Sequence, residues 1–227
     1  MLNRTHLIDT SESAGRSSSE KDSTPGVIAA LRDATAERHE LLHEIMPLSV
    51  DSVALRDYLA HLAILRDWLE PLDAWLQTFN DGPQSPALPA SMNRLALIDA
   101  DLANASVSPR DLAGIDEIAS AGRARRWSGP QSAAYRWGVC YVIEGSQLGG
   151  AVLYARLKER LAPHPLGYLD AGRDTLGPRW RAFTRAIAAE VQTPVSIDEA
   201  CRGAADAFDR LIELAQRPAG AACTSLA

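Results

Sequence analysis

The chain lacks the features that three classes of protein require. No apolar run among its 227 residues approaches the roughly 18 residues of a membrane-spanning helix, so we predict no membrane span. Lysine and arginine number 23 against 29 aspartates and glutamates, for a net charge of −6. This balance predicts no nucleic-acid partner, because nucleic-acid-binding surfaces carry an excess of basic residues. The N-terminus also lacks the apolar core of a secretory signal, and we therefore expect a cytoplasmic protein.

Cysteine is scarce, and strand signals are missing. Cys140, Cys201 and Cys223 form no CxxC pair and leave one thiol over, which predicts reduced thiols rather than a disulfide framework. The sequence shows no internal repeat and no strand-type alternation, whereas apolar residues recur at spacings of three and four, as in amphipathic helices. The sequence therefore predicts an all-α fold of about eight helices in a single domain.

The helices are confined to the central part of the chain. Residues 1–24 are rich in serine and charged residues and predict a disordered N-terminal tail. Residues 25–216 form the expected helical domain, and residues 217–227 a flexible end. The main helices are predicted over about 25–47, 52–79, 92–105, 132–157, 179–191 and 197–216.

Several prolines and one histidine lead to more specific expectations for these segments. Pro71 should kink or restart the second helix, because proline lacks the N–H that an interior helical position donates. The proline-containing stretch 163–178 predicts a linker. His61, which lies among leucines of the second helix, is expected to be a packing residue with its hydrogen bonds satisfied.

The stretch from Ala134 to Leu157 is the most unusual in the chain. It is apolar and free of proline, yet it contains several glycines, each of which costs a helix interior roughly 1 kcal/mol against alanine. At 100° per residue, Gly138, Gly145 and Gly149 fall within 40° of one another, so one face is largely stripped of side chains. Such a face either packs closely on another helix or admits a flat molecule against its backbone.

A second stretch near the N-terminus gives this pattern a context. It reads LRDATAERH from Leu31 to His39, and the glycine-rich stretch reads EGSQLGG from Glu144 to Gly150. In this order, about a hundred residues apart, the two motifs resemble the haem oxygenase family, in particular its bacterial, phytochrome-associated branch. The resemblance covers roughly residues 26–215 and implies the haem oxygenase-like multi-helix fold.

The resemblance also implies an activity. It implies oxidative cleavage of haem to biliverdin, carbon monoxide and ferrous iron, with O2 and with electrons from an external donor, either a ferredoxin or a reductase. Haem is then both the substrate and the prosthetic group. An electron-transfer protein and a phytochrome that accepts biliverdin are the implied partners.

Five residues are implied to bind haem. His39 matches the proximal ligand of the haem iron, and a neutral imidazole suits that role. Arg32 lies seven residues earlier, so both side chains face the same way about 10 Å apart, and an arginine there could pair with a propionate. Arg181 and Arg185 match basic positions near the propionate edge, and Tyr141 resembles a propionate-contacting tyrosine.

On the distal side of the haem, Gly145, Ser146 and Gly149 match the catalytic positions. There a bare backbone approaches the oxygen bound to iron, and crowding directs that oxygen toward one meso carbon. Animal members carry an aspartate directly after the first glycine, where this chain has Ser146. The network that delivers protons must therefore differ from theirs.

Other functions remain open at this stage. A non-catalytic haem-binding or carrier protein of the same fold would share these residues. A thiaminase-like or di-iron protein of the wider fold is a third possibility, although a di-iron bundle needs two Glu-x-x-His sets and only Glu40 with His43 provides one. The basic turn at 122–129, with Arg123, Arg125 and Arg126, is either a solvated surface or a docking patch for an acidic electron-transfer protein.

Overall fold

The fold is all-α, as predicted. The computed structural model describes residues 26–88, 92–115 and 126–217. Both predicted tails, apart from residue 217, and the first half of the basic turn (122–125) lie outside these residues. The described part contains no strand and seven α-helices: Val27–Ile45 (α1), Leu55–Leu76 (α2), Arg94–Leu102 (α3), Ala133–Leu157 (α4), Gly167–Asp170 (α5), Leu176–Glu190 (α6) and Pro194–Ala215 (α7). Three short 3-10 turns accompany them, over Pro47–Ser49, Gly82–Gln84 and Arg173–Thr175.

Local capping signals fix the starts of the two helices that carry most of the architecture. Ser132 caps α4, and its hydroxyl accepts a hydrogen bond from the Tyr135 backbone N–H at 3.3 Å. Thr193 caps α7 in the same way, with Pro194 at the first helical position, where the missing N–H of proline costs nothing. The predicted start of α4 is therefore confirmed.

The sequence predicted that Pro71 would kink or restart the second helix. The predicted restart is wrong, because α2 runs through Pro71 without a break. Its apolar stripe is buried on both sides of the proline, with Leu65 and Leu69 before it and Leu72 and Leu76 after it. Most helical stability in proteins comes from packing of such a stripe, which here outweighs one missing hydrogen bond.

The predicted linker at 163–178 is wrong as well. It contains α5 and a 3-10 turn, and α6 begins at Leu176 rather than at Arg179. Leu166, Tyr168 and Leu169 are buried, so this segment belongs to the core. Pro178 is compatible with the first turn of α6, because the N–H groups of a first turn have no partner within the helix.

The core is built around α7, which packs along both α4 and α1. Ala204, Phe208 and Leu211 of α7 face inward and are buried, as predicted. His61 is also buried, but its Nδ1 has no hydrogen-bond partner, so the expectation that it would be satisfied is wrong. No helix in the described ranges combines the length and the apolar content that a membrane span requires.

Candidate functional site

The glycines of α4 fall into two groups with different structural roles. A methyl group added at Gly138 would collide with the Ala200 carbonyl of α7, and one added at Gly203 of α7 would collide with the Tyr135 carbonyl of α4. The two backbones therefore touch where these glycines meet. At this end of α4, close helix packing explains the missing side chain.

Gly145 and Gly149 belong to the second group, because no helix backbone closes on them. A methyl group at Gly145 would lie 3.7 Å from Cη2 of Trp180, an ordinary contact, and one at Gly149 would meet nothing within 4 Å. Two helices that cross at one point separate along their lengths. The glycine face beyond the crossing is therefore left open.

Aromatic side chains of α6 lie beside this open face. The Trp180 ring lies 5.5 Å from the Tyr141 ring of α4 and stacks on Phe183 at 5.8 Å, measured between centroids. Burial raises the pKa of Tyr141, while the charge of Arg32 and a side-chain hydrogen bond with Arg32 oppose that shift. Arg32 of α1 thus reaches Tyr141, and Tyr141 lies next to Trp180, which in turn lies beside Gly145.

His39 lies on α1 with its imidazole exposed to solvent. Its ring meets the edge of Phe208 with centroids 6.4 Å apart. Together with Glu40, His43 and Glu44 it lines a cavity of about 310 Å³. His43 is exposed, as predicted, and it lines the same cavity, so geometry alone does not choose between the two imidazoles.

Arg181 and Arg185 are exposed on α6, and neither forms an ion pair with any residue that the structure describes. An available imidazole, cations without carboxylate partners and a bare helical backbone are the groups that haem requires. The residues present therefore fit haem as a substrate. The same described ranges contain no group of three or more His, Cys, Asp or Glu side chains that could hold a metal ion.

Ser146 connects α4 to a buried polar network. Its hydroxyl donates to the Ile143 carbonyl at 2.8 Å and also bonds to the hydroxyl of Tyr168, whose pKa burial raises. Gln147 donates to the same Tyr168 hydroxyl at 3.3 Å. A buried tyrosine of α5 thus lies directly behind the glycine face.

Asp101 of α3 anchors this tyrosine. Its carboxylate accepts from the backbone N–H groups of Gly167 and Tyr168, at 3.0 and 2.8 Å, and from the Tyr58 hydroxyl at 2.6 Å. The sequence analysis missed this carboxylate. The available signal was its position three residues after buried Ile98, on the apolar face of α3.

Glu144, which precedes the first open glycine, was predicted only as part of the motif. It accepts from Arg94 of α3 at 2.7 Å and from Arg179 of α6 at 3.2 Å. These ion pairs connect α4 to both neighbouring helices directly beside the candidate site.

Known proteins share this architecture. The crystal structure of the NO- and CO-bound haem (heme) oxygenase from Neisseria meningitidis is similar in fold, with a TM-score of 0.57 and 22% identity, over 87% of this chain and 96% of that one. A curated haem oxygenase of Xanthomonas campestris pv. campestris (strain 8004) is 40% identical over 80 residues. That match covers 34% of this chain and 47% of the Xanthomonas protein, so it spans about half the length of that relative.

The family model described as heme oxygenase matches residues 26–217. That range includes every residue of the candidate site, from Arg32 on α1 to Arg185 on α6. The chain belongs to the haem oxygenase family.

Proposed function

We propose that this protein cleaves haem oxidatively to biliverdin, carbon monoxide and ferrous iron, using O2 and electrons from an external donor. The observation that carries the proposal is the open face of α4 at Gly145 and Gly149, which no helix backbone covers. Family membership supports it, as does the similarity to the haem oxygenase of Xanthomonas campestris.

In this proposal, α1 supplies the proximal side of the site. His39 coordinates the haem iron through its exposed imidazole, leaving the opposite face of the haem toward α4. Arg32, on the same helix, binds a propionate together with Tyr141, which it already contacts. Arg181 and Arg185 approach the propionate edge from α6.

On the distal side, the important feature of α4 is the absence of side chains at Gly145 and Gly149. Bound haem supplies the iron at which O2 binds and the meso carbon that is oxidised. Gly145 and Gly149 leave room for a diatomic ligand against the helix backbone. Ser146 holds a hydroxyl beside that space, and Tyr168 behind it is the adjoining proton-bearing group.

One observation favours a second candidate, a haem carrier without turnover. The Ser146 hydroxyl donates its proton to the Ile143 carbonyl. That proton is therefore engaged within the helix rather than directed into the site. A carrier would use His39 and the three arginines in the same way and would release haem intact.

Haem titration followed by reduction separates the two candidates. Haemin is added to the full-length protein, the Soret band is recorded, and ascorbate is then added in air. The oxygenase is expected to lose its Soret band, form a biliverdin band and release one carbon monoxide per haem. A Soret band that forms but persists, with no biliverdin, would establish the carrier instead.

The implied partners form part of the same proposal. A ferredoxin or reductase supplies the electrons, and a phytochrome takes up biliverdin, as the resemblance to the phytochrome-associated branch suggests. A cytoplasmic location is consistent with both partners.

A further inference from the structure

A second cavity lies along a different face of α4 from the open glycine face. It measures about 880 Å³ and is bordered by α2, the loop at 79–88, α3, α4 and α6, which places it in the size range of small-molecule sites. On α4, the cavity is lined by Trp137, Cys140, Ile143 and Glu144, and at 100° per residue these positions lie about 80° to 160° from Gly145. This cavity is therefore distinct from the haem site.

Its walls are mainly apolar, with aromatic rings on three sides. Phe79 contributes from the loop, Trp137 from α4 and Phe183 from α6, and the rings of Trp137 and Phe183 are 5.4 Å apart. Leu76 and Ala186 also line these walls. Such a lining suits a flat apolar group.

A cluster of charges occupies one wall of the cavity. The Arg94 guanidinium is 5% exposed, pairs with Glu144 at 2.7 Å and points into this wall. Its Nε has no hydrogen-bond partner, and leaving a buried donor unpaired is unfavourable. Arg179 shares the same Glu144 carboxylate at 3.2 Å, so two guanidiniums contact one carboxylate.

Asp73 is the other carboxyl group in the cavity wall. Burial raises its pKa, and the charge of Arg94 opposes this shift only in part. Asp73 is therefore a weaker counter-ion than a solvated carboxylate. In the ion pairs of this cluster, two guanidiniums share the one Glu144 carboxylate, and Nε of Arg94 is a donor without a partner.

We propose that this cavity binds an apolar monocarboxylate of the aromatic acid class. The carboxylate would accept from Arg94 and Arg179, because guanidinium–carboxylate hydrogen bonds are the strong, charge-assisted kind. The aromatic body would lie against the Trp137–Phe183 pair, on the side that faces the cavity. This site is separate from haem cleavage and does not depend on it.

The test measures binding of 1-naphthaleneacetate to the haem-free full-length protein by calorimetry, with 1-naphthaleneacetamide as the neutral probe of the same shape. The acid is expected to bind with a submillimolar Kd and the amide about tenfold more weakly. Equal affinities, or no binding of the acid, would overturn the proposal.

Matched variants on α6 locate the binding. Arg179→Gln is expected to weaken the acid about tenfold while leaving the amide unchanged, and Ala186→Trp is expected to abolish binding of both by filling the cavity. Arg185→Gln makes the same change on the same helix, but in the haem site, and should leave both affinities unchanged. If Arg185→Gln weakens the acid and Arg179→Gln does not, the probe binds in the haem site and the proposal is wrong. No step requires haem, so this result is independent of the haem cleavage proposal.

Discussion

Among single residues, the histidines differ most in their surroundings. His39 and His43 are exposed, and a neutral imidazole in solvent is free to bind a metal. His61 is buried with one ring nitrogen unpaired, and burial lowers its pKa to about 4. These surroundings are compatible with a ligand role for His39 or His43. They also predict that buried His61 lowers the free energy of unfolding at acidic pH.

His61 should make stability depend on pH below about 6.5. The unfolded chain protonates this histidine near its ordinary pKa of about 6.5, whereas the folded protein keeps it neutral down to about 4. Between these values the unfolded state binds the extra proton, so the free energy of unfolding falls by up to about 1.4 kcal/mol per pH unit as pH decreases.

Urea unfolding of wild type and His61→Leu at pH 7.0 and pH 5.0 measures this effect. The variant lacks the titrating group and should lose less stability than wild type over that interval. An equal loss in both proteins would show that other groups account for the acid sensitivity.

His39→Ala should lose the imidazole-ligated haem spectrum, because its ring is the one that matches the family's proximal ligand. His43→Ala is the matched control, since both imidazoles are exposed and line one cavity. Haemin titration followed by optical and EPR spectra checks the assignment. The reverse outcome, with the spectrum kept in His39→Ala and lost in His43→Ala, would transfer the ligand role to His43.

Glutamine at Arg32, Arg181 or Arg185 should weaken haem binding roughly fivefold each, because exposed ion pairs contribute at most about 1 kcal/mol. Any shift in the biliverdin isomer formed would report a rotated haem. Arg202→Gln, an exposed arginine of α7, provides the control. Unchanged affinity and an unchanged isomer in all three variants would remove these arginines from the propionate site.

Among the helices, α4 combines two uses of glycine that look alike in sequence. Gly138 permits contact with α7, while Gly145 and Gly149 remain open beyond the crossing. Angular position places all three on one face, but only their position along the helix axis separates a packed glycine from an open one.

Gly138→Ala should therefore destabilise the protein by at least about 1–3 kcal/mol, as overpacking against backbone does. Gly150→Ala is the control, because its added methyl would meet Leu169 at an ordinary 3.6 Å. This control should be unchanged or more stable by up to about 1 kcal/mol through helix propensity. Equal midpoints of urea unfolding for the two variants would contradict the packing role of Gly138.

Local signals allowed the sequence to predict several elements. The serine cap of α4, the apolar stripe of α7 and the all-α class follow from spacing and capping, which act within a few residues. Pro71 was misjudged because packing of α2 is a tertiary effect. The segment at 163–178 was misjudged because Tyr168 is held by Asp101, 67 residues away.

The same limit applies to the candidate site. The motifs supplied His39 and the open glycines, but they did not reveal that Trp180 lies over Gly145. Nor did they reveal that Arg94 and Arg179 converge on Glu144. These contacts join three helices, and no spacing within one helix encodes them.

At the scale of the whole molecule, α4 borders two chambers, the proposed haem site and the second cavity. The proposed haem site lies on its glycine face and the second cavity along a different face of the same helix. α6 borders both chambers, through Trp180 beside Gly145 and through Arg179 beside Glu144. The central claim is that α4 leaves Gly149 bare for the chemistry of the substrate and not for packing.

Single-turnover formation of biliverdin by Gly149→Ala, measured on a preparation with known melting temperature and haem occupancy, tests this claim most directly. An added methyl at Gly149 meets no protein atom within 4 Å, so folding should be unaffected. We expect a near-normal melting temperature and Soret band with little biliverdin, because the methyl projects into the space that O2 requires. A large fall in melting temperature with normal turnover by the remaining folded protein would contradict the account and assign Gly149 to packing.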